Sequence, residues 1–201
     1  MNETATMNVE KRENANSKAN KRFRQAGFVV GNIFGKGMDS IPVIVKRDEF
    51  RKTVSNHGRN ALYKLNMGGN ELGNVIIKEI QYEPINREIQ HVDFQKVSFS
   101  ENIKADVAIR AVGKEQLESR RMILLQHLDV LPVKGLPQDI PEFIDIDVKD
   151  LNAINIFVSD IKMPEGITPD IEPDRLVLAI EESKSQMVIE EEEEETTEQT
   201  E

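Results

Sequence analysis

Between positions 90 and 94 the chain reads Gln-His-Val-Asp-Phe. Side chains alternate between the two faces of a strand, so in extended form His91, Asp93 and Gln95 share one side while Val92 and Phe94 share the other. An imidazole and a carboxylate two residues apart on a rigid pleat present donors and acceptors at fixed positions. That suits the reading of a polar, shaped surface such as RNA, although on a solvated strand the same pair is mere decoration. Upstream lies the basic run Lys18-Ala-Asn-Lys21-Arg22-Phe23-Arg24. Its cations match successive phosphates of a nucleic-acid backbone as readily as they match water. Phe34 and Tyr82 add rings that can stack on a base or fill a core.

Other chemistries lack their residues. There is no cysteine, the three histidines (57, 91 and 127) are scattered, and no serine sits in a nucleophile-elbow setting, so no constellation supports catalysis. The glycines at 31, 35 and 37 are not followed by the Lys-Ser/Thr of a phosphate loop. Asp145, Asp147 and Asp150 lack the glycine turn and closing glutamate of a calcium loop. Neither a cofactor nor a metal is expected.

The elements that would position these residues follow from periodicity. Ala19, Phe23 and Ala26 fall on one side of a helix over Ser17–Gly27, with Lys18, Lys21, Arg22 and Gln25 on the other; Ser17 is the expected cap and Gly27 the stop. Phe23 is expected to pin this helix to a core. Strands are expected at 28–37, punctuated by glycines, and at 41–46, 60–66, 74–82 and 89–94, with a short helix from Asp48 to Asn56 and a hairpin turn at Met67-Gly-Gly-Asn-Glu. Strict alternation along 74–82 would put Val75, Ile77, Glu79 and Gln81 on one face, and Ile76, Lys78, Ile80 and Tyr82 on the other. Closely spaced strands with only short helices between them argue a small barrel. The second half has alternating strands, for example at 103–112 and 121–130, and six of the eight prolines. It reads as an all-β domain with long proline-containing loops. The expected organisation is therefore mainly β: residues 1–8 disordered, a barrel domain at 9–98, a β domain at 99–183 and an acidic disordered tail at 184–201.

The net charge of −10 over 201 residues conceals a division. Residues 1–97 carry 16 basic and 11 acidic side chains, net +5, whereas residues 98–201 carry 10 and 25, net −15. A basic half joined to an acidic half points to a polyanion-binding module beside one that stays off the polyanion. No apolar run is long enough to span a bilayer, and the first residues lack the apolar core of a signal peptide, so a cytoplasmic protein with no membrane partner is expected.

On these residues the chain resembles the two-domain bacterial large-subunit ribosomal proteins that bind 5S ribosomal RNA, the family of the general stress protein Ctc. The most specific pieces are Gln90-His-Val-Asp-Phe94, the preceding Lys78-Glu-Ile-Gln-Tyr-Glu-Pro84 and the basic run ending at Arg24. In the second half they are Ile140-Pro-Glu-Phe-Ile-Asp-Ile-Asp-Val148 and Val158-Ser-Asp-Ile-Lys-Met-Pro-Glu-Gly166. The resemblance implies an RNA-binding barrel docked on 5S ribosomal RNA in the central protuberance, and a C-terminal β domain absent from the short members, for which neighbouring ribosomal proteins are candidate partners. Carried over by position, it implicates Arg12, Lys21, Arg22, Arg24, Lys78, Gln81, His91 and Asp93, to which the residue reading adds Lys18 and Phe34. Where the family has Gly-Lys-Gly this chain has Asn16-Ser17-Lys18, and Phe34 replaces the family's tyrosine. Two other readings fit the composition: an RNA-binding module of the tRNA-recognising kind, and a protein-interaction module acting through the acidic half.

Overall fold

The computed structural model describes residues 5–13, 16–119, 122–148 and 155–182. The N-terminal half runs β1 (Ala5–Lys11), α1 (Ser17–Gln25), β2 (Phe28–Gly35), β3 (Met38–Lys46), α2 (Arg47–His57), β4 (Tyr63–Met67), β5 (Asn70–Tyr82) and β6 (Ile89–Lys96). Its six strands close into a barrel in the order β1-β3-β2-β6-β5-β4, and the parallel pairing of β1 with β4 seals it. Alternation fills the interior: Met7 and Val9 from β1, Val29 and Ile33 from β2, Leu65 from β4, Val92 and Phe94 from β6. Phe50 of α2 plugs the barrel, and its ring meets that of Phe94 edge-on at 6.3 Å. Such a pair adds to the area the two rings bury.

Three expectations are corrected here. Residues 5–8 are not disordered but belong to β1, where Ala5 and Met7 are buried and Thr6 and Asn8 are exposed. A polar-looking segment alternates this way when one face closes a barrel. The helix cap is Asn16, whose side chain accepts from the Ala19 amide, in place of Ser17; Gly27, at φ 85°, ends α1 as expected. Phe23 is half-buried, because α1 lies on the outside of the barrel against β2 and contributes no fully buried residue.

One glycine is required by packing. β2 and β6 pair in parallel with Gly31 opposite Val92, and a Cβ on Gly31 would stand 2.6 Å from the Val92 carbonyl oxygen. Only a residue without a side chain lets the two strands approach this closely.

The second half comprises β7 (Ile103–Val112), α3 (Lys114–Ser119), β8 (Met122–Gln126), β9 (Val130–Gly135), β10 (Phe143–Asp147), β11 (Asn155–Phe157), β12 (Ile167–Pro169) and β13 (Leu176–Glu182). They form one sheet of order β10-β7-β9-β12 and a second of order β11-β13-β8. The strand expected at 121–130 ends at Gln126, and the next begins only at Val130. By packing of the described residues, one compact unit holds the barrel and the chain up to Val107 with Pro132–Glu142 and Pro164–Asp170, and the other holds the described parts of Ala108–Leu131, Phe143–Met163 and the stretch from Ile171 to Glu182. Asp145 of the calcium-like triplet is bound bidentately by Arg110, at 2.7 and 2.9 Å, which holds its carboxyl below the usual range. Asp150 and the expected tail lie outside the described residues.

Phe94 is wholly buried, so Phe94→Ala should open a cavity and cost about 3 to 5 kcal/mol of stability. Chemical denaturation of the two proteins measures it. A loss below about 1 kcal/mol would mean that the barrel interior is not packed around this ring.

Candidate nucleic-acid interface

The register of three adjacent strands determines which side chains share the barrel's outer wall. Paired residues point to the same side of a sheet. β6 sits between β5 and β2, and its outward residues are His91, Asp93 and Gln95. His91 is flanked by Gln81 and Val30, Asp93 by Glu79 and Asn32, and Gln95 by Ile76 and Phe34. A register shift between Ile77 and Glu79 makes Lys78 an extra residue. This bulge corrects the strict alternation expected for β5: Ile77 and Ile80 both pack on the core, and Glu79 and Gln81 share the outer side with Ile76. A mainly polar strip results, three residues wide and led by His91 and Asp93.

Helix α1 flanks the strip along β2. Its half-buried residues Ala19, Asn20, Phe23 and Arg24 form one face, and Lys18, Lys21, Arg22 and Gln25 are exposed on the other. The Arg24 Nε donates to the Gln90 carbonyl at 3.0 Å, and Arg47 Nη2 donates to the Arg24 carbonyl at 2.6 Å, so the helix end is tied to both β6 and α2. Arg12, just past the end of β1, is only 5% exposed. Its guanidinium donates to the side-chain oxygens of Asn20 on α1 and, at 3.4 Å, Asn32 on β2. Burial, then the like charge of Arg24, lowers the Arg12 pKa. Arg12 therefore braces the outer wall beside the strip, between α1 and β2, and is not a free surface cation.

The His91 Nδ1 approaches an Asp93 carboxylate oxygen to 3.5 Å, with both side chains largely covered. Burial holds the imidazole below its usual 6.5; Arg12 and Arg24 push the same way, and Asp93 and Glu79 oppose them. The neutral ring has one donor and one acceptor nitrogen, and the carboxylate beside it only accepts. Gln81 Nε2 donates to Glu79 at 3.2 Å, adding an oriented amide at the rim.

The expected residues thus fall into separate groups. Arg12, Arg24, Phe34, Gln81, His91 and Asp93 gather on or beside the strip, and Lys18, Lys21 and Arg22 stand on the exposed face of α1. Lys78 does not join them: the bulge turns it toward β7, where its Nζ donates to the Lys104 carbonyl at 2.9 Å. Asn20, Asn32 and Glu79 were not anticipated, whereas alternation alone sets Gln95 on the side of His91 and Asp93. Asn32 follows from alternation once β2 and β6 are known to pair, but no local pattern announces a parallel pairing between distant strands.

Among the described residues no group of histidine, aspartate and glutamate side chains is arranged to hold a metal, and no helix is long and apolar enough to cross a membrane. Residues 7–94 match the profile of the ribosomal L25p family, and residues 102–184 match that of the ribosomal protein TL5 C-terminal domain. A large ribosomal subunit protein bL25 from Lachnoclostridium phytofermentans is 46% identical over 189 residues, 94% of this chain and 98% of the relative. The chain belongs to the bL25 family of bacterial large-subunit ribosomal proteins. It is a two-domain member, and this is a family of structural ribosomal proteins, not of enzymes. Relatives of the same name from Thermoanaerobacter pseudethanolicus and Bacillus velezensis are 37% and 28% identical, covering 81% and 88% of this chain and 81% and 87% of their own lengths. Two consecutive ribosomal-protein domains leave the isolated tRNA-type module and the free-standing interaction module without support.

Because burial favours the neutral ring of His91, the unfolded chain takes up its proton at a higher pH than the folded one. This contribution to stability is complete above about 6.5 and declines as the pH falls below it. In a proton NMR titration the His91 ring should titrate below 6.5, and Asp93→Asn should lower the midpoint further by removing an opposing negative charge. A midpoint at or above that of a free histidine would contradict the burial assigned to the ring.

Proposed function

We propose that the barrel binds 5S ribosomal RNA through the outer strip of β2, β6 and β5 together with the exposed face of α1, seating the protein in the central protuberance of the large subunit. The observation that carries this reading is the in-register polar strip around His91 and Asp93, lying beside a helix face with three exposed cations. Membership of the family supports a cytoplasmic role in translation as part of the ribosome. In this reading the RNA-binding domain is the barrel at residues 9–98, extended by β1 to Ala5, and the β domain is 99–183, although the compact unit built on the barrel also takes in residues up to Val107, Pro132–Glu142 and Pro164–Asp170.

In this mechanism Lys18, Lys21 and Arg22 neutralise backbone phosphates and set the orientation, since phosphate contacts position without reading sequence. Gln81, His91 and Asp93 then meet base edges and 2′-hydroxyls, which the wide, shallow minor groove of an RNA helix exposes. Phe34, at the end of the strip, offers a ring to a base. Arg12 and Arg24 hold the strip and the helix in their mutual geometry. The strongly acidic second half is repelled by phosphate and is suited to the basic surfaces of neighbouring ribosomal proteins.

Titration of 5S ribosomal RNA against the full chain tests the cationic face. Lys21→Ala combined with Arg22→Ala should weaken binding and flatten the slope of log K against log salt by about 0.7 to 0.9 for each lost contact. An unchanged slope would mean that these side chains face solvent in the complex. His91→Ala should cost about 1 to 3 kcal/mol of RNA affinity with the melting temperature preserved, because it leaves an RNA group unpaired at a desolvated surface. A variant that melts early yet binds normally when folded would make His91 a structural residue.

A further inference from the structure

At the Gln95 end of the strip lies a concavity of about 390 Å3 whose wall holds Lys36, Lys78, Lys96 and Lys104 against a single carboxylate, Glu101. Separate local causes bring the lysines together. Lys36 occupies the β2–β3 turn, Lys78 is the extra residue of the β5 bulge, Lys96 ends β6 and Lys104 lies at the start of β7. Their charges are unequally satisfied. Lys104 pairs with Asp170 at 2.5 Å, a carboxylate it shares with Lys134. Lys36 meets Glu101 at 3.1 Å, but the side chains are 86% and 56% exposed, so that pair is readily exchanged. Lys78 donates to a carbonyl, which orients its ammonium without cancelling the charge. Among the described residues neither Lys78 nor Lys96 has a carboxylate at ion-pair distance.

We infer that this concavity is a second backbone-phosphate station for the RNA on the strip, held by Lys36, Lys78 and Lys96. Gln95 belongs to both surfaces: it is the last outward residue of the row from His91, and it lines the concavity. At about 3.3 Å per residue, His91 and Gln95 are about 13 Å apart along β6, so one bound helix can reach both. Recognition across an RNA minor groove engages phosphates on more than one stretch of backbone. The α1 cations serve one stretch, along the side of the strip, and the lysine concavity serves the other, at its end. Glu101 occupies the place of a phosphate in the free protein and leaves when one arrives.

The inference rests on the proposed RNA-binding face, so its test carries a separate control for that face. Full-length wild type, Lys36→Ala/Lys96→Ala, Glu101→Gln and His91→Ala are titrated with 5S ribosomal RNA over a range of salt, and each is melted to establish folding. The double lysine variant should bind more weakly, with a slope flatter by about 1.4 to 1.8 for two lost contacts. Glu101→Gln should bind more tightly than wild type, a sign that a merely structural lysine cluster would not produce. If wild type binds and His91→Ala weakens it, but the lysine variant keeps the wild-type slope, the phosphate station falls and the RNA face stands. If wild type does not bind at all, both fall. Inorganic phosphate, titrated alone against the wild-type lysine side-chain signals, separates the two sources of the anion: saturation by free phosphate with the RNA slope unaltered in the lysine variant would make this a free-anion site and overturn the inference.

Discussion

The barrel's outer wall depends on how closely β2 approaches β6. Gly31 has no Cβ to strike the Val92 carbonyl, so the parallel strands can close on each other in a register that turns Val92 and Phe94 inward. Because the period of a strand is two, that one choice also turns His91, Asp93 and Gln95 outward. The hydrophobic core and the polar strip are therefore two sides of one register. A slip of one residue would bury an imidazole and a carboxylate and expose a phenyl ring, exchanging favourable burial for the desolvation of two polar groups.

Arg12 shows how the wall is stiffened without spending its charge on a carboxylate. Burying a guanidinium costs least when its donors are paired; here two asparagine oxygens on different elements accept from its terminal nitrogens, while its Nε has no partner among the described residues. Amide partners leave the positive charge uncancelled beside the strip. That charge lowers the proton affinity of His91, while Asp93 and Glu79 raise it. The strip consequently holds a neutral, hydrogen-bonding imidazole in a field of both signs, a state suited to contacts with hydroxyls and base edges.

Much of this was legible in the sequence, and what was not has particular causes. The alternation of Gln90–Phe94 gave the orientation of β6, and the spacing of Ala19 and Phe23 against Lys18, Lys21 and Arg22 gave the two sides of α1. β1 escaped notice because Thr6, Asn8 and Glu10 hide three small or medium apolar residues whose burial depends on a distant partner, β4. The bulge at Lys78 was invisible because an extra residue leaves no mark in composition; it separated Lys78 from Gln81 and moved it to another surface. Asn20 and Asn32 looked like ordinary helix and strand polar residues, and only the buried guanidinium between them gives them a role.

The parallel seams also bear on how the chain reaches its folded state. Hairpins such as β2–β3 and β4–β5 close over short turns, whereas Arg24 and Gln90, joined by a hydrogen bond, stand 66 positions apart. Closing a long loop carries a larger entropic cost, and non-local pairing slows folding. Every row of the polar strip crosses the β2–β6 seam, so no single hairpin contains it. The surface comes into being only when the barrel has shut, and a partly folded chain presents its cations without the strip that would orient them.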